Sequence, residues 1–465
     1  MAKLISFFTE AIRGTRNDFT TGSIRSGIVL LAIPMMLEMA MESIFSLVDT
    51  YFVGQLGVEA LTTVGLTEVV MTLVYSTAVG LSIAPMSLVS RATGAKDPET
   101  ARRATAQAVL LSLLISAVIS IAGILFAEDI LRLMGASEAT VTIGAGYTRI
   151  LFGTNFVIVL LFVLNGVFRG AGEAATAMRV LWVANGINII LDPILIFGFG
   201  PIPALGVEGA AIATSIGRGT GVVYQLYLLT SGRSAIRITL SDLAPEVGML
   251  ARVTNIAVTG ALQNLVASAS WIVLTRIVAT LGDTAVAGYT VAIRLILFTL
   301  LPAWGLSNAA ATFVGQNLGA EQPERSQRGV FVTLYLTVTY ILLVSLVYYF
   351  AATPLVAAFI GDPTAVTTGV TALRVFAFGY VFFGIGNVLL QAFNGAGDTR
   401  TPTVVNFICF WLVEAPLGYV LAISYDYGVA GAVGAVVLAQ LLQSVLGWGL
   451  FRRGSWRTPS AGPSR

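Results

Sequence analysis

The feature that most constrains this chain is a succession of apolar stretches, each long enough to cross a bilayer. A spanning helix needs about 20 mostly apolar residues. Twelve such stretches lie near 28–53, 62–88, 104–127, 146–168, 178–199, 208–231, 252–280, 285–314, 329–353, 370–393, 402–423 and 429–451. A membrane β-barrel would show alternation in segments of about ten residues, whereas these runs are continuous. The expected fold is therefore an all-α polytopic membrane protein of twelve transmembrane helices.

Composition narrows the chemistry. Of 465 residues, 56% are hydrophobic and 11% charged, with mean hydropathy +0.86; soluble domains carry about 25% charged residues. An ordinary soluble enzyme, a disordered chain and a nucleic-acid binder are excluded. The net charge of +2 seeks no acidic partner. There is no histidine, which removes Ser-His and Cys-His catalysis, imidazole metal sites and imidazole proton relays. The single cysteine, Cys409, allows no disulfide within the chain. Any ion chemistry must run on carboxylates, amides and hydroxyls.

The cations set an orientation. Of 26 Lys and Arg, 20 fall on one side of the spans, in the termini and alternate loops. They are Lys3, Arg13, Arg16 and Arg25 at the N-terminus; Arg91, Lys96, Arg102 and Arg103; Arg169 and Arg179; Arg233, Arg237 and Arg252; Arg325 and Arg328; Arg400; and Arg452, Arg453, Arg457 and Arg465 in the tail. The opposite loops hold little beyond Arg132. By the positive-inside rule both termini are expected in the cytoplasm, with the protein in the plasma membrane. Residues 1–27 lack the apolar core and small-residue cleavage site of a signal peptide. Residues 4–12 read either as an amphipathic surface helix or as a frayed end.

The chain also repeats itself at an offset of 225. Gly80-Leu-Ser pairs with Gly305-Leu-Ser, Gly94-Ala-Lys-Asp-Pro-Glu with Gly319-Ala-Glu-Gln-Pro-Glu, and Phe168-Arg-Gly-Ala-Gly-Glu with Phe393-Asn-Gly-Ala-Gly-Asp. At an offset of 222, Gly206-Val-Glu-Gly-Ala pairs with Gly428-Val-Ala-Gly-Ala. The expected layout is a cytoplasmic segment 1–27, a six-helix lobe 28–231, a linker 232–251, a second lobe 252–451 and a tail 452–465. Each half has an even number of spans, so the two lobes share one orientation, as in a secondary transporter that rocks two bundles.

Ionisable residues inside a membrane are costly and point to function. Six acids fall in the spans: Glu38, Glu42, Asp49, Glu68, Asp192 and Glu414. The spacings of 4 and 7 put Glu38, Glu42 and Asp49 on one face of the first helix. Asn185, Asn188 and Asp192 form a second stripe on the fifth. Pro193 leaves the Ile189 carbonyl without its helical donor. Carboxylate, amide and carbonyl oxygens suit a proton or a small hard cation. A structural reading, with these groups bonding across helices, is the alternative. Glu68 and Glu414 read as structural partners of Arg218 or Arg294, and Glu38 reads either as functional or as facing a wet vestibule toward the cytoplasm. In the second lobe, helix 7 offers Gln263 and Asn264 and helix 10 only Asn387. Pro34 marks a kink in the first helix, either a hinge or a static bend.

With these features the sequence resembles the multidrug and toxic compound extrusion (MATE) family over about residues 20–450, in its DinF-like branch. The resemblance is carried by the six-plus-six repeat, by Val48-Asp-Thr-Tyr-Phe-Val-Gly-Gln-Leu-Gly, by the repeated Gly80–Pro98 segment, and by Phe168-Arg-Gly-Ala-Gly-Glu with Ile187-Asn-Ile-Ile-Leu-Asp-Pro. It implies a cation-coupling site on Asp49, Asn188 and Asp192, with Asn185 beside it and a hydroxyl from Thr214; sodium, if it is the ion, would sit on Asp49, Asn188 and Asp192. It further implies export of organic cations and amphipathic drugs against inward proton or sodium flow. The methionines of the first helix suit an adaptable substrate site, with Glu42, Met39 and Asn165 as its expected lining.

The leading expectation is a monomeric secondary antiporter that needs no cofactor, touches membrane lipids and small organic substrates, and binds no nucleic acid. A lipid-linked oligosaccharide or lipid flippase of the same superfamily is the alternative, disfavoured by an apparently acidic first lobe. An intramembrane enzyme lacks a long catalytic loop, and a passive channel does not explain the duplication.

Overall fold

A computed structural model describes residues 2–14 and 18–457; residues 458–465 of the expected tail lie outside the described residues. Among those described, the chain is all-helical apart from one isolated bridge, Phe199 to Ile202. A short helix, Ala2–Arg13, comes first, so the segment expected to be either helical or frayed is helical. Twelve long helical passes follow. They are α1 (Ile24–Gly54), α2 (Val58–Gly94), α3 (Pro98–Leu125), α4 (Glu138–Gly153 with Asn155–Gly170), α5 (Ala174–Phe197), α6 (Val207–Thr230), α7 (Val247–Ala279), α8 (Asp283–Gly319), α9 (Pro323–Phe350), α10 (Pro363–Ala396), α11 (Arg400–Ser424) and α12 (Gly428–Arg453).

Three passes depart from a plain apolar α-helix, α11 by winding as a π-helix over Phe407–Glu414 and Val420–Ser424. The two pieces of α4 meet at a 40° bend. There the Asn155 amide donates to the Phe152 carbonyl at 2.6 Å and to Ser120 at 2.7 Å, an intrusion into the helical ladder of the kind that kinks helices. The α6 helix is 24 residues long, about 36 Å at 1.5 Å per residue, and it is less apolar than its neighbours because it carries Arg218 and Gln225.

The chain divides into two compact units. One holds residues 2–14 and 37–261, the other 18–36 and 262–457. The boundaries fall inside α1, between Met36 and Leu37, and inside α7, between Ala261 and Leu262. The segment 232–251 belongs wholly to the first unit.

Within each unit the repeated motifs do matching work. A Cβ on Gly80 would lie 2.1 Å from the Ala261 nitrogen, and one on Gly305 would lie 2.5 Å from the Met35 carbonyl oxygen. The two Gly-Leu-Ser copies therefore mark where α2 meets α7 and α8 meets α1 at backbone distance. Gly170 against Met86 and Gly395 against Ala311 repeat the device for α4 on α2 and α10 on α8. In the Gly-Ala-x-x-Pro-Glu turns, Lys96 and Glu321 both take a left-handed backbone, φ 54° and 58°. Pro then opens the next helix, where its missing N–H has no role.

The segment after α6 is seated on the first unit. The Glu173 carboxylate accepts from Ser234 and from the Ala235 N–H, both at 2.8 Å. Thr239 and Asp242 form a capping box. Arg102 of α3 pairs with Asp242, and the Gln107 amide donates to the Ala244 carbonyl at 2.8 Å. The Thr239 backbone and hydroxyl donors, with Arg102, hold the Asp242 carboxyl below its usual range.

In the second unit a proline within a helix has its own support. Pro302 lies inside α8. Tyr340 donates to the Thr299 carbonyl at 3.0 Å, and Tyr348 donates to that of Leu295. Phenol groups thus supply donors beside the turn where the proline has none.

Candidate functional site

All the acids of interest on α1 belong to the first unit, and their partners separate them. Glu38 is fully buried and bound on one oxygen, Oε1, by Arg169 at 2.8 Å and by Asn165 at 3.0 Å. Gln225 of α6 donates to the Asn165 carbonyl oxygen at 2.6 Å. One turn on, Glu42 accepts from Arg218 at 2.8 Å and from Asn185 at 3.1 Å. The Arg218 guanidinium stands 5.2 Å from the Phe45 ring centre and 5.9 Å from that of Tyr75.

Two turns beyond Glu42 the pattern changes. Asp49 is buried and its Oδ1 has no hydrogen-bond partner in the protein. On α5, Asn188 donates to Asp192 at 3.3 Å and to Thr214 of α6 at 3.2 Å. Asn188 Oδ1 and Asp192 Oδ2 are likewise buried without a partner. The charge of Asp49 acts on Asp192. Two carboxylates, an amide and a hydroxyl thus present oxygens with few donors among them. Burying such oxygens is costly unless something positive meets them. The donor set fits a proton or a small hard cation. No cluster of three His, Cys, Asp or Glu suited to a metal occurs among the described residues.

The structure thus brings Asn188, Asp192 and Thr214 into direct contact and sets Asp49 within electrostatic reach. Asn185 turns instead to Glu42, because it lies one turn before Asn188 on α5. Met39 is partly buried on α1. Pro34 lies buried inside α1, two residues before the unit boundary. Three expectations are corrected. Arg218 pairs with Glu42 and not with Glu68. Glu38 faces no wet vestibule but a buried arginine. Arg169, counted among loop cations, is only 6% exposed at the end of α4. With both arginines accounted for, the α1 surface from Glu38 to Glu42 is charge-balanced, not acidic. Sequence reading passed over Gln225, and gave Arg169 and Arg218 other places, a loop and a pairing with Glu68 or Glu414. Their only signal was two cations and an amide in apolar surroundings.

Twelve helical passes in two units, ten of them unbroken, long and apolar enough to cross a membrane, with buried carboxylates among them, define an integral membrane transporter. The particular family follows from comparison. The MatE family model matches residues 34–194 and again 260–420, two copies spaced like the internal repeat, and the chain belongs to this multidrug and toxic compound extrusion family. It is 28% identical to the FAD transporter of Shewanella oneidensis, across 94% of this chain and 96% of that one. It is 25% identical to the probable multidrug resistance protein NorM of Thermotoga maritima, across 93% of each. Among solved structures, a MATE protein in a straight conformation superposes with TM-score 0.88 at 26% identity, covering 94% of this chain and 98% of that one. The relatives are transporters and not enzymes.

Proposed function

We propose that this protein is a secondary active antiporter that exports small organic substrates against inward proton or sodium flow. The observation that carries the reading is the division among the acids. Glu38 and Glu42 each form an ion pair with an arginine, whereas Asp49 and Asp192 form none and each keeps a buried oxygen without a donor. An acid already paired has little affinity for an incoming cation; an unpaired buried one has much. Asp49, Asn188, Asp192 and Thr214 would hold the coupling ion. The names of the relatives, multidrug resistance protein and FAD transporter, support a small organic substrate. Glu42, Met39 and Asn165 would line its site. Both termini would face the cytoplasm of the plasma membrane, and one chain would suffice. Ion and substrate need only favour different states of one two-state cycle.

The test is efflux of a fluorescent organic substrate from proteoliposomes under separate proton and sodium gradients. Wild type should respond to one gradient. Asp49→Asn and Asp192→Asn should lose that response while remaining folded. Undiminished gradient-driven transport in either variant would remove the coupling role from that carboxylate.

A further inference from the structure

A furrow runs along α12 in the second unit. Tyr427, Gly431, Gly434 and Leu438 follow one another at spacings of 4, 3 and 4, so they share one face of the helix. Phe378 of α10 and Leu421 of α11 wall the furrow, which encloses about 500 Å3 and has the Tyr427 phenol as its one polar side chain. Its two glycines differ. A Cβ on Gly431 would lie 2.6 Å from the Leu421 carbonyl carbon, so this glycine brings α12 against α11 and sets the floor. A Cβ on Gly434 would meet no atom within 4 Å, so the space a side chain would take there is open.

Position and width decide what fills it. The three helices are each long and apolar enough to cross a membrane, so hydrocarbon is the medium at a furrow open among them. Water would find one phenol and otherwise apolar walls, too few partners to hold it. From Tyr427 to Leu438 the furrow runs about 16 Å at 1.5 Å per residue, close to the roughly 15 Å depth of one hydrocarbon leaflet. Its end at the α11–α12 turn carries Tyr425 and Tyr427, exposed and stacked at 6.2 Å, amphipathic rings of the kind that mark the headgroup level. The volume of about 500 Å3 over that length is a cross-section of about 30 Å2, whereas a helix about 10 Å across needs about 80 Å2. A second protein helix does not fit, and a single hydrocarbon chain does.

We propose that this furrow is a binding site for one acyl chain of a membrane phospholipid, laid along α12 with its headgroup end beside Tyr425 and Tyr427. The chain arrives from among other lipid tails, so transfer from water contributes little. What favours it is close contact with Gly431, Gly434 and the two walls, contact that the furrow lacks when no atoms fill it. The site lies in the second unit, goes beyond the transport reading and does not depend on it.

The experiment uses the full-length protein in phosphatidylethanolamine–phosphatidylglycerol vesicles doped with a phosphatidylcholine that carries a diazirine midway along one acyl chain. After illumination, adducts are located by peptide mass spectrometry. Leu438 should carry about fivefold more adduct than the exposed Leu342, Leu343 and Leu346 of α9, the ratio expected of a modest binding preference. Gly434→Phe places a ring in the open space and should bring that ratio down to about one, the labelling of α9 being unchanged. Equal labelling of Leu438 and the α9 leucines in the wild type overturns the proposal, as does an excess that survives in folded Gly434→Phe. If that variant does not fold, the wild-type comparison decides alone. A disulfide-linked dimer formed in membranes by Gly434→Cys in a Cys409→Ala background would put a second copy of the chain in the furrow and would overturn it too.

Discussion

Glu38 and Glu42 are one turn apart on α1, yet their surroundings give them different sensitivities. Glu38 is sealed with Arg169, and its Oε2 and the Arg169 Nε have no further partner. Removing one member leaves the other charged and buried, a loss of about 3–5 kcal/mol, whereas replacing both is far milder. Glu38→Gln should therefore lower the unfolding temperature in detergent clearly, and Glu38→Gln/Arg169→Gln should recover most of it. Equal losses in single and double variants would mean that the pair is not what holds these helices. Asp49 and Asp192 sit at the other extreme. Asn substitution there removes a carboxylate that forms no ion pair, so coupling should be lost without loss of the fold.

At the scale of elements, two segments have identifiable constraints. Pro34 interrupts the hydrogen-bond ladder of α1 just before the point where the helix passes from one compact unit to the other. An interrupted ladder bends at lower cost than an intact one. Pro34→Ala should slow turnover in proteoliposomes more than it weakens substrate binding; an unchanged rate would make the proline a static bend. The second segment is 239–246, clamped to α3 by Arg102 and Gln107. Asp242 titrates lower in the folded protein than free aspartate does. Its contribution is then present above the unfolded value of about 4 and is lost as pH falls through the lower folded value. Hydrogen exchange at 239–246, corrected for the intrinsic rate, should accelerate below about pH 4 and be flat between pH 5 and 8. Acceleration already near pH 6 would assign the clamp to another group.

For the whole molecule, the cation distribution implies that every even-numbered loop lies on one side. The lone cysteine makes this simple to check. In a Cys409→Ala background, Ser241→Cys, on the segment after α6, should react with an impermeant maleimide only after the cells are opened. Gly361→Cys, between α9 and α10, should react in intact cells. The reverse pattern would invert the orientation. Two stretches matching one family model, two sets of backbone-close glycines and two left-handed turns at Lys96 and Glu321 express the same duplication at three levels. Its chemical content is unequal. The second unit has amide links such as Gln391 to Asn308 at 2.7 Å where the first has ion pairs.

The helical class, the number of passes, the repeat and the acids within the spans were all legible in the sequence, because each depends on local period or on a charge standing in apolar surroundings. Asn188, Asp192 and Thr214 were grouped correctly for a related reason: two lie on one stripe of α5, and the third was suggested by family resemblance. The pairing of charges was a tertiary decision. Glu42 meets Arg218 across 176 positions and Glu38 meets Arg169 across 131, and nothing local says which cation neutralises which acid. Helix rotation and depth choose the partner, and only close packing sets those. That choice turned an apparently acidic surface into a neutral one and left Asp49 and Asp192 without an ion pair.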